Sequence, residues 1–406
     1  MPSYIHIFKC KNKSSSQRTQ LASVAHIAES TAMTARQKRN HVQKRRRKLA
    51  SIQANYTPVI VPPDILKNII TEKEIKEQVI VFDGGDKNNI PITHPDIEHW
   101  RPIRISDGKH LHVVKSDDPN KGLIHSAQNG VADFILLPRS QAMKTIPDRP
   151  ITDLFKAIKA CETAKGSPLQ RGTSKTTFGD DVTRPPKYTS VGVQPNRNKP
   201  GVTRVQPFMH RLETDQWDQI MKMMRWSEKA FEMMADHTVL HQIEAAKRAV
   251  QFETIQPSPN DPKQTSGKYY GAIAFGRNLF LRCHTDQDYA YSMIQVHLEG
   301  SDSYSLDDQV VTYFCFPTLG IAIALRPGDF LLFNATIPHS ISSRCRNDSN
   351  VISVSSYLKT AVVGLNNNSI PLSEDQKKLL DTFKLSRRHT RVQKNEIKKT
   401  NKRKHK

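Results

Sequence analysis

The chain lacks the long apolar run that a membrane-spanning helix needs, since no stretch of about 18–20 residues is free of strongly polar side chains. We therefore expect no membrane span. The first ten residues are too short and too polar for a secretory signal. The five cysteines form neither a Cys-x-x-Cys pair nor an even disulfide framework. This usage favours a reducing compartment, so the sequence predicts an intracellular protein.

Acidic side chains are nearly absent from the two ends of the chain. Residues 1–50 hold 12 Lys and Arg with one acidic residue, and residues 384–406 hold 11 with one acidic residue. The ends therefore carry almost all of the net charge of +22, and the part between them is close to neutral. Blocks of like charge are typical of disordered interaction tails. We predict a basic disordered tail over 1–55, and a short helix followed by a basic tail over 366–406.

The basic ends suggest a location and a partner. The run Lys-Arg-Arg-Arg-Lys at 44–48 is typical of a nuclear-localisation signal or a nucleic-acid patch. Aromatic residues are scarce in both tails, so contacts with phosphates are favoured over stacking on bases. We predict a nuclear protein with nucleic acid as a partner through its tails. An inert solubilising role for the tails stays open.

Apolar patterns mark the structured regions between the tails. Residues 207–365 combine helical periodicity at 212–250 with a series of short β-rich runs from Tyr269 to Lys359. Residues 56–165 form a weaker α/β region, which is either a separate small domain or a part packed on the strand-rich one. Residues 166–206 are rich in Gly, Ser, Thr and Pro without an apolar period, and we predict a linker there.

A metal-ligand pattern lies across the β-rich series. His284 and Asp286 are two residues apart, so in a strand they point to one face. The sequence Arg-Pro-Gly-Asp at 326–329 predicts a turn, because Pro and Gly are typical turn residues. His339 follows this turn and begins a later strand. Two His and one carboxylate on one face of an octahedral ion form the facial triad typical of non-haem Fe(II) oxygenases. The three remaining positions could take an oxo-acid and O₂.

Two other acidic residues could supply the carboxylate ligand of such a site. Asp288 shares the strand face of His284 and is an alternative to Asp286. The tripeptide at 94–96, His-Pro-Asp, has the same pattern but lies in a Pro-rich, loop-like stretch, and we do not predict a metal there. A jelly roll that binds no metal and serves as a binding module is also consistent with the sequence.

At His284, Asp286 and His339 the chain resembles the Fe(II)/2-oxoglutarate-dependent dioxygenase superfamily, whose double-stranded β-helix carries the pattern His-x-Asp…His. The resemblance implies an α+β protein with a mostly β core, a double-stranded β-helix or jelly roll, and flanking helices. It further implies Fe(II) on these three catalytic residues, 2-oxoglutarate and O₂ as co-substrates, and hydroxylation of a C–H bond. The basic tails would suit a substrate among DNA, RNA or chromatin.

The chain departs from the superfamily at the co-substrate anchor. The superfamily usually places Arg or Lys on the last strand, where Asn350 or Val351 stands here. We expect Arg344 or Arg282 to hold the distal carboxylate of 2-oxoglutarate, with Arg346 and Lys359 next. Two further alternatives remain: a non-catalytic, nucleic-acid-associated binding protein on a jelly-roll scaffold, and a cupin-like metalloenzyme that does not use 2-oxoglutarate.

Overall fold

The structure is a computed structural model. It describes residues 55–83, 101–118, 121–126, 132–146, 155–156, 158–161, 177–178, 188–195, 203–205, 209, 212–235, 237–248, 255–258, 261–263, 266–299, 309–343, 345 and 350–366. The predicted basic tails and the predicted short helix near 373–383 lie outside the described residues. So does the His-Pro-Asp tripeptide at 94–96.

Two β-sheets form the centre of the structure, and their strands are numbered along the chain. The larger sheet contains, in spatial order, β1 (Tyr56–Pro58), β5 (Gly122–Ser126), β6 (Ala132–Leu137), β17 (Phe330–Asn334), β14 (Tyr291–Leu298), β19 (Val351–Tyr357), β12 (Ala272–Arg277), β8 (Tyr188–Pro195) and β9 (Thr203–Val205). The smaller sheet contains, in spatial order, β4 (His112–Val114), β16 (Ile321–Leu325), β15 (Thr312–Phe316), β18 (His339–Ile341), β13 (Phe280–His284) and β7 (Thr177–Phe178).

The eight strands from β12 to β19 build the middle of both sheets. The order β17-β14-β19-β12 in one sheet faces β16-β15-β18-β13 in the other, and neighbours in each are antiparallel. Apolar side chains fill the space between them, among them Ile294 and Val296 from the larger sheet and Phe314 and Ile323 from the smaller. Two facing sheets with this strand order are the arrangement of a jelly roll. The predicted strand-rich core with flanking helices is confirmed.

Strands from the N-terminal half extend both sheets. β6 pairs with β17 in the larger sheet, and β4 pairs with β16 in the smaller. These strands therefore continue the two sheets of the jelly roll.

Part of the predicted linker is a strand in the structure. Within 166–206, β8 pairs with β12 over five residues, from Tyr188 to Gly192. Val191 and Val193 of β8 are buried, but prolines flank this short run on both sides and conceal its strand pattern in the sequence. Gly192 has φ +107°, and a Cβ there would lie 2.5 Å from the carbonyl oxygen of Gly271. Only glycine fits that close approach.

Several helices lie around the sheets, and the longest of them covers the outer face of the larger sheet. The helices are α1 (Pro63–Leu66), α2 (Glu72–Ile75), α3 (Arg139–Thr145), α4 (Thr214–Met234), α5 (His237–Arg248) and α6 (Thr360–Asn366). Buried residues of α4, such as Met224 and Phe231, pack with Ile273 of β12 and Leu332 of β17 in one apolar cluster. The Met-rich helix is therefore part of the core. In the described part of the chain, no helix has the length and apolarity required to cross a membrane.

A small layer covers the outer face of the smaller sheet. The parallel strands β2 (Val79–Phe82) and β3 (Arg101–Arg104) bury Val79 and Ile103 against Cys283 and Cys315. Cys161, Cys283, Cys315 and Cys345 are free thiols. A separate hairpin pairs β10 (Ile255–Ser258) with β11 (Asp261–Lys263).

The turn before β17 is fixed by a buried carboxylate. Gly328 has φ +87°, and the next residue, Asp329, is only 5% exposed. Its two oxygens accept hydrogen bonds from the backbone N–H groups of Arg326 and Arg139, each at 2.9 Å. Burial raises the pKa of Asp329 to about 6, although both backbone hydrogen bonds act in the opposite direction. Asp329 thus joins the start of α3 to the turn that leads into β17.

We predict that Asp329→Ala lowers the free energy of unfolding by about 2–4 kcal/mol, because it leaves two backbone donors without an acceptor. Asp329→Asn should cost less, since its amide oxygen can still accept one hydrogen bond. Urea unfolding followed by circular dichroism measures both. Asp107→Ala, at an exposed position, is the matched control. Equal stability of the Asp329→Ala and Asp107→Ala variants would contradict the prediction.

Candidate metal centre

The three residues of the predicted triad lie together at one end of the jelly roll. His284 ends β13 and His339 begins β18, and the two residues are direct partners in antiparallel pairing. Asp286 follows β13 by two residues, and its backbone N–H donates to the carbonyl oxygen of Ala335, just beyond β17, at 2.9 Å. The side-chain ligand atoms of the three residues all lie within 4.8 Å of one another. One strand pairing and one backbone hydrogen bond thus fix their positions.

Both imidazoles are held in the tautomer that suits a metal ligand. Nδ1 of His284 lies 2.7 Å from the carbonyl oxygen of Arg282, and Nδ1 of His339 lies 2.8 Å from that of Ile337. A carbonyl oxygen can only accept, so each Nδ1 carries the proton and donates it. Each Nε2 then keeps its lone pair for a ligand. Nε2 of His339 is 3.6 Å from Oδ2 of Asp286.

The back of the site is packed and its front is open. His339 is 2% exposed, and its ring stacks on Phe314 at 5.4 Å and meets Phe333 edge-on at 5.0 Å, between centroids. The ring of His284 lies 4.7 Å from that of His339. The side chain of Asp286, in contrast, retains 36% exposure. The aromatic packing restrains His339, while the carboxylate side stays accessible to a ligand from solvent.

The charge state of the three groups also suits a divalent cation. Burial, and then the neighbouring His339, lower the pKa of His284 to about 4, so this imidazole is neutral near pH 7. Desolvation opposes ionisation of Asp286, but Lys359 and then the two histidines outweigh it and hold its pKa below the usual aspartate range. The site therefore offers a neutral nitrogen from His284 together with a carboxylate. With His339, this donor set fits the facial triad of Fe(II).

The alternative ligand Asp288 is engaged elsewhere. Its side chain is 1% exposed, and Oδ1 lies 2.5 Å from Nζ of Lys359. Its other oxygen, Oδ2, accepts a hydrogen bond from the hydroxyl of Ser292 at 2.6 Å. Strand parity indicates that Asp288 shares a face with His284, but it does not predict the pairing with Lys359. The one sequence feature related to that pairing is the position of a lysine at the end of the last strand.

The four basic residues considered as a co-substrate anchor differ in their surroundings. Arg344 and Arg346 lie outside the described residues. Lys359 is paired with Asp288 and also lies 3.7 Å from Oδ1 of Asp286. Arg282 lies in the irregular stretch of β13 between Leu281 and His284, where the register with β18 shifts. Its Nε is buried and has no hydrogen-bond partner among the described residues.

Several solved structures are similar to part of this chain. No family model matches the chain, and no curated protein matches it. NgTET1 in complex with 5mC DNA is 12% identical, with 62% of this chain and 83% of that chain covered and a TM-score of 0.38. A 2OG-Fe(II) oxygenase family oxidoreductase from Burkholderia pseudomallei is 9% identical, with 56% and 85% covered and a TM-score of 0.30. A Pseudomonas putida prolyl-4-hydroxylase is 10% identical, with 56% and 92% covered and a TM-score of 0.27.

The described residues bring together the His-x-Asp…His group through which the sequence resembles the Fe(II)/2-oxoglutarate-dependent dioxygenase superfamily. They do so on a jelly roll, with both histidines at the paired ends of two strands of the smaller sheet.

Proposed function

We propose that this chain is an Fe(II)/2-oxoglutarate-dependent oxygenase that uses His284, Asp286 and His339 as its metal ligands. The observation that carries the proposal is the orientation of the two imidazoles. Each donates its Nδ1 proton to a backbone carbonyl, which leaves both Nε2 atoms for the ion. A pair of histidines that served only to fill the core would not need this shared tautomer beside a carboxylate.

The residues of the chain supply binding and orientation. His284 and His339 keep two nitrogen donors in fixed positions, and Asp286 adds one negative charge at the open side. Fe(II), when bound with 2-oxoglutarate and O₂, supplies the oxidising chemistry that hydroxylates a C–H bond. Phe314 and Phe333 keep water away from the back of His339, so exchange of ligands is confined to the side where Asp286 is exposed.

Removal of any one ligand should abolish tight Fe(II) binding. We expect His284→Ala, Asp286→Ala and His339→Ala each to weaken Fe(II) binding by roughly 100-fold or more, since even partners outside the ligand set cost 10–100-fold when removed. Anaerobic Fe(II) titration gives the affinities, and circular dichroism checks the fold. His112→Ala, on strand β4, is the matched control. Full iron occupancy in His339→Ala would exclude this site and favour the reading as a binding module without metal.

We further propose Arg282 as the anchor for the distal carboxylate of 2-oxoglutarate. A dicarboxylate in a partly buried site needs a cationic partner, because an unpaired buried charge costs several kcal/mol. Arg282 precedes His284 by two residues, and its buried Nε has no hydrogen-bond partner within the described ranges. Ser353, on the last strand of the jelly roll, likewise has a buried hydroxyl without a hydrogen-bond partner among the described residues. A buried polar atom without a partner needs an explanation, and a bound ligand would supply one.

Arg282→Met should raise the concentration of 2-oxoglutarate needed for half-maximal turnover by about tenfold or more, because a lost charged hydrogen bond is worth roughly 1.5–3 kcal/mol. Iron binding should persist. Succinate release against 2-oxoglutarate concentration measures the effect, and Arg225→Met, at an exposed position of α4, is the matched control. If Arg282→Met behaves as the control does, Arg344 and Arg346 become the candidates. No release of succinate by the wild-type chain would favour a cupin-like metalloenzyme.

We also propose that the basic ends bring a nucleic acid to this enzyme. The charge is the support for this step, since the ends hold nearly all of the net +22 and the part between them is close to neutral. A chain with its charge distributed in this way binds a polyanion through sequence-independent phosphate contacts.

Affinity for DNA or RNA should fall steeply with rising salt in the full chain, because counterion release sets the slope. Deletion of residues 1–50 and 384–406 should weaken binding and flatten that slope. Fluorescence anisotropy with a labelled oligonucleotide, measured at several salt concentrations, provides both quantities. A shortened chain that keeps the affinity and slope of the full chain would place the binding surface on the jelly roll instead.

A further inference from the structure

The proposed chemistry does not use the ion pair formed by the buried Asp288 and the partly buried Lys359, although Lys359 also lies beside Asp286 of the candidate metal centre. Nζ of Lys359 lies 2.5 Å from Oδ1 of Asp288 and 3.7 Å from Oδ1 of Asp286. One ammonium group thus lies between two carboxylates. Only one of these, Asp286, belongs to the triad.

The backbone fixes the pair in place. Asp288 and Lys359 are partners in an antiparallel bridge, flanked by hydrogen bonds from Tyr289 N–H to the Leu358 carbonyl (2.6 Å) and from Thr360 N–H to the Gln287 carbonyl (2.9 Å). The side chains are fixed as well. Ser292 donates to Oδ2 of Asp288 at 2.6 Å, and Nζ of Lys359 lies 4.5 Å from the centroid of the Tyr357 ring. The backbone bridge, the Asp288 carboxylate and the Tyr357 ring therefore all restrain the position from which Lys359 approaches Asp286.

The two oxygens of Asp286 consequently face different partners. Oδ1 faces the ammonium group of Lys359 at 3.7 Å, and Oδ2 faces Nε2 of His339 at 3.6 Å. A carboxylate restrained in this way offers a single oxygen to an ion that is also bound by the histidines. Free rotation of the Asp286 side chain would otherwise let both oxygens compete for the ion.

We propose that Lys359 is a positioning residue: held by Asp288, it turns Asp286 so that only Oδ2 faces the metal position. This inference rests on the proposed function. It assigns Lys359 and Asp288 a role beside the ligands, and it removes Lys359 from the residues that could hold the co-substrate. Asp288 supplies the charge that balances Lys359, so the ammonium group can stay near a cation site with little net repulsion.

The charge-balanced variant Lys359→Met/Asp288→Asn isolates the positioning effect, because it removes one positive and one negative charge together. We expect it to bind Co(II) about 10–100-fold more weakly than the wild-type chain, as is typical for loss of a partner that orients a ligand. The visible absorption spectrum of bound Co(II) should also change, because Asp286 would then bind through both oxygens. Lys359→Arg should restore the affinity to within about threefold, since its guanidinium can reach both carboxylates.

Anaerobic Co(II) titration with visible spectroscopy provides both readouts, and circular dichroism checks the fold. The matched control is Lys268→Met/Glu232→Gln, which removes a half-exposed ion pair of 3.1 Å at α4. A double variant with the affinity and spectrum of the wild-type chain would overturn the inference.

Two further outcomes are informative. If the double variant does not fold, Asp288→Asn alone provides the test. Lys359 would then face only Asp286 and should weaken Co(II) binding, and unchanged binding would overturn the inference.

The proposed function is tested separately by His339→Ala. If that variant binds Co(II) as the wild-type chain does, the proposed function fails, and the inference fails with it. Weakened binding in His339→Ala beside unchanged binding in Lys359→Met/Asp288→Asn overturns the inference alone.

Discussion

The antiparallel pairing of β13 with β18 is the constraint on which the candidate centre depends. It places His284 directly opposite His339 at one end of the smaller sheet. Paired residues of antiparallel strands have their Cβ atoms only about 4.5–5.5 Å apart, so the two imidazoles meet directly across the strand pair. The chain then has to bring just one carboxylate to them. It does so two residues after His284, where the backbone of Asp286 is tied to Ala335 beyond β17.

The apolar core makes that pairing rigid. The space between the sheets is filled by aliphatic and aromatic side chains from both, and two of them, Phe314 and Phe333, contact the ring of His339. Interiors packed in this way resist small displacements. The larger sheet is supported from outside by α4, which buries Met224 and Phe231 against it. Precision at the centre is thus a consequence of packing that extends through three layers of the fold.

Local patterns were enough to predict the strand-rich series and to single out His284, Asp286 and His339. The runs Tyr291–Leu298, Ile321–Leu325 and Phe330–Asn334 within that series are strands, because β-rich composition and flanking turn residues act within a few positions. Parity along a strand likewise related His284 to Asp286. Strand β8 was missed since prolines surround it and its partner β12 is distant in sequence. The pairing of Asp288 with Lys359 was not predicted either, because parity relates residues within one strand and does not identify a partner across a sheet.

Charge balance connects the parts of the proposed enzyme. As ionised groups, Asp286, Asp288, Lys359 and Arg282 sum to zero, and His284 is neutral near pH 7. Under the proposed function, a divalent ion makes this group positive, and a doubly charged oxo-acid returns it to neutrality. Arg282, the proposed anchor, is needed for that balance, because without it the fully loaded site would carry a net negative charge. Uncompensated charge is costly away from water, so a site that the ion alone leaves positive favours binding of the dicarboxylate together with the ion. The order of binding follows from the same argument: under the proposed function, only the site that already holds the ion is positive and attracts the dicarboxylate.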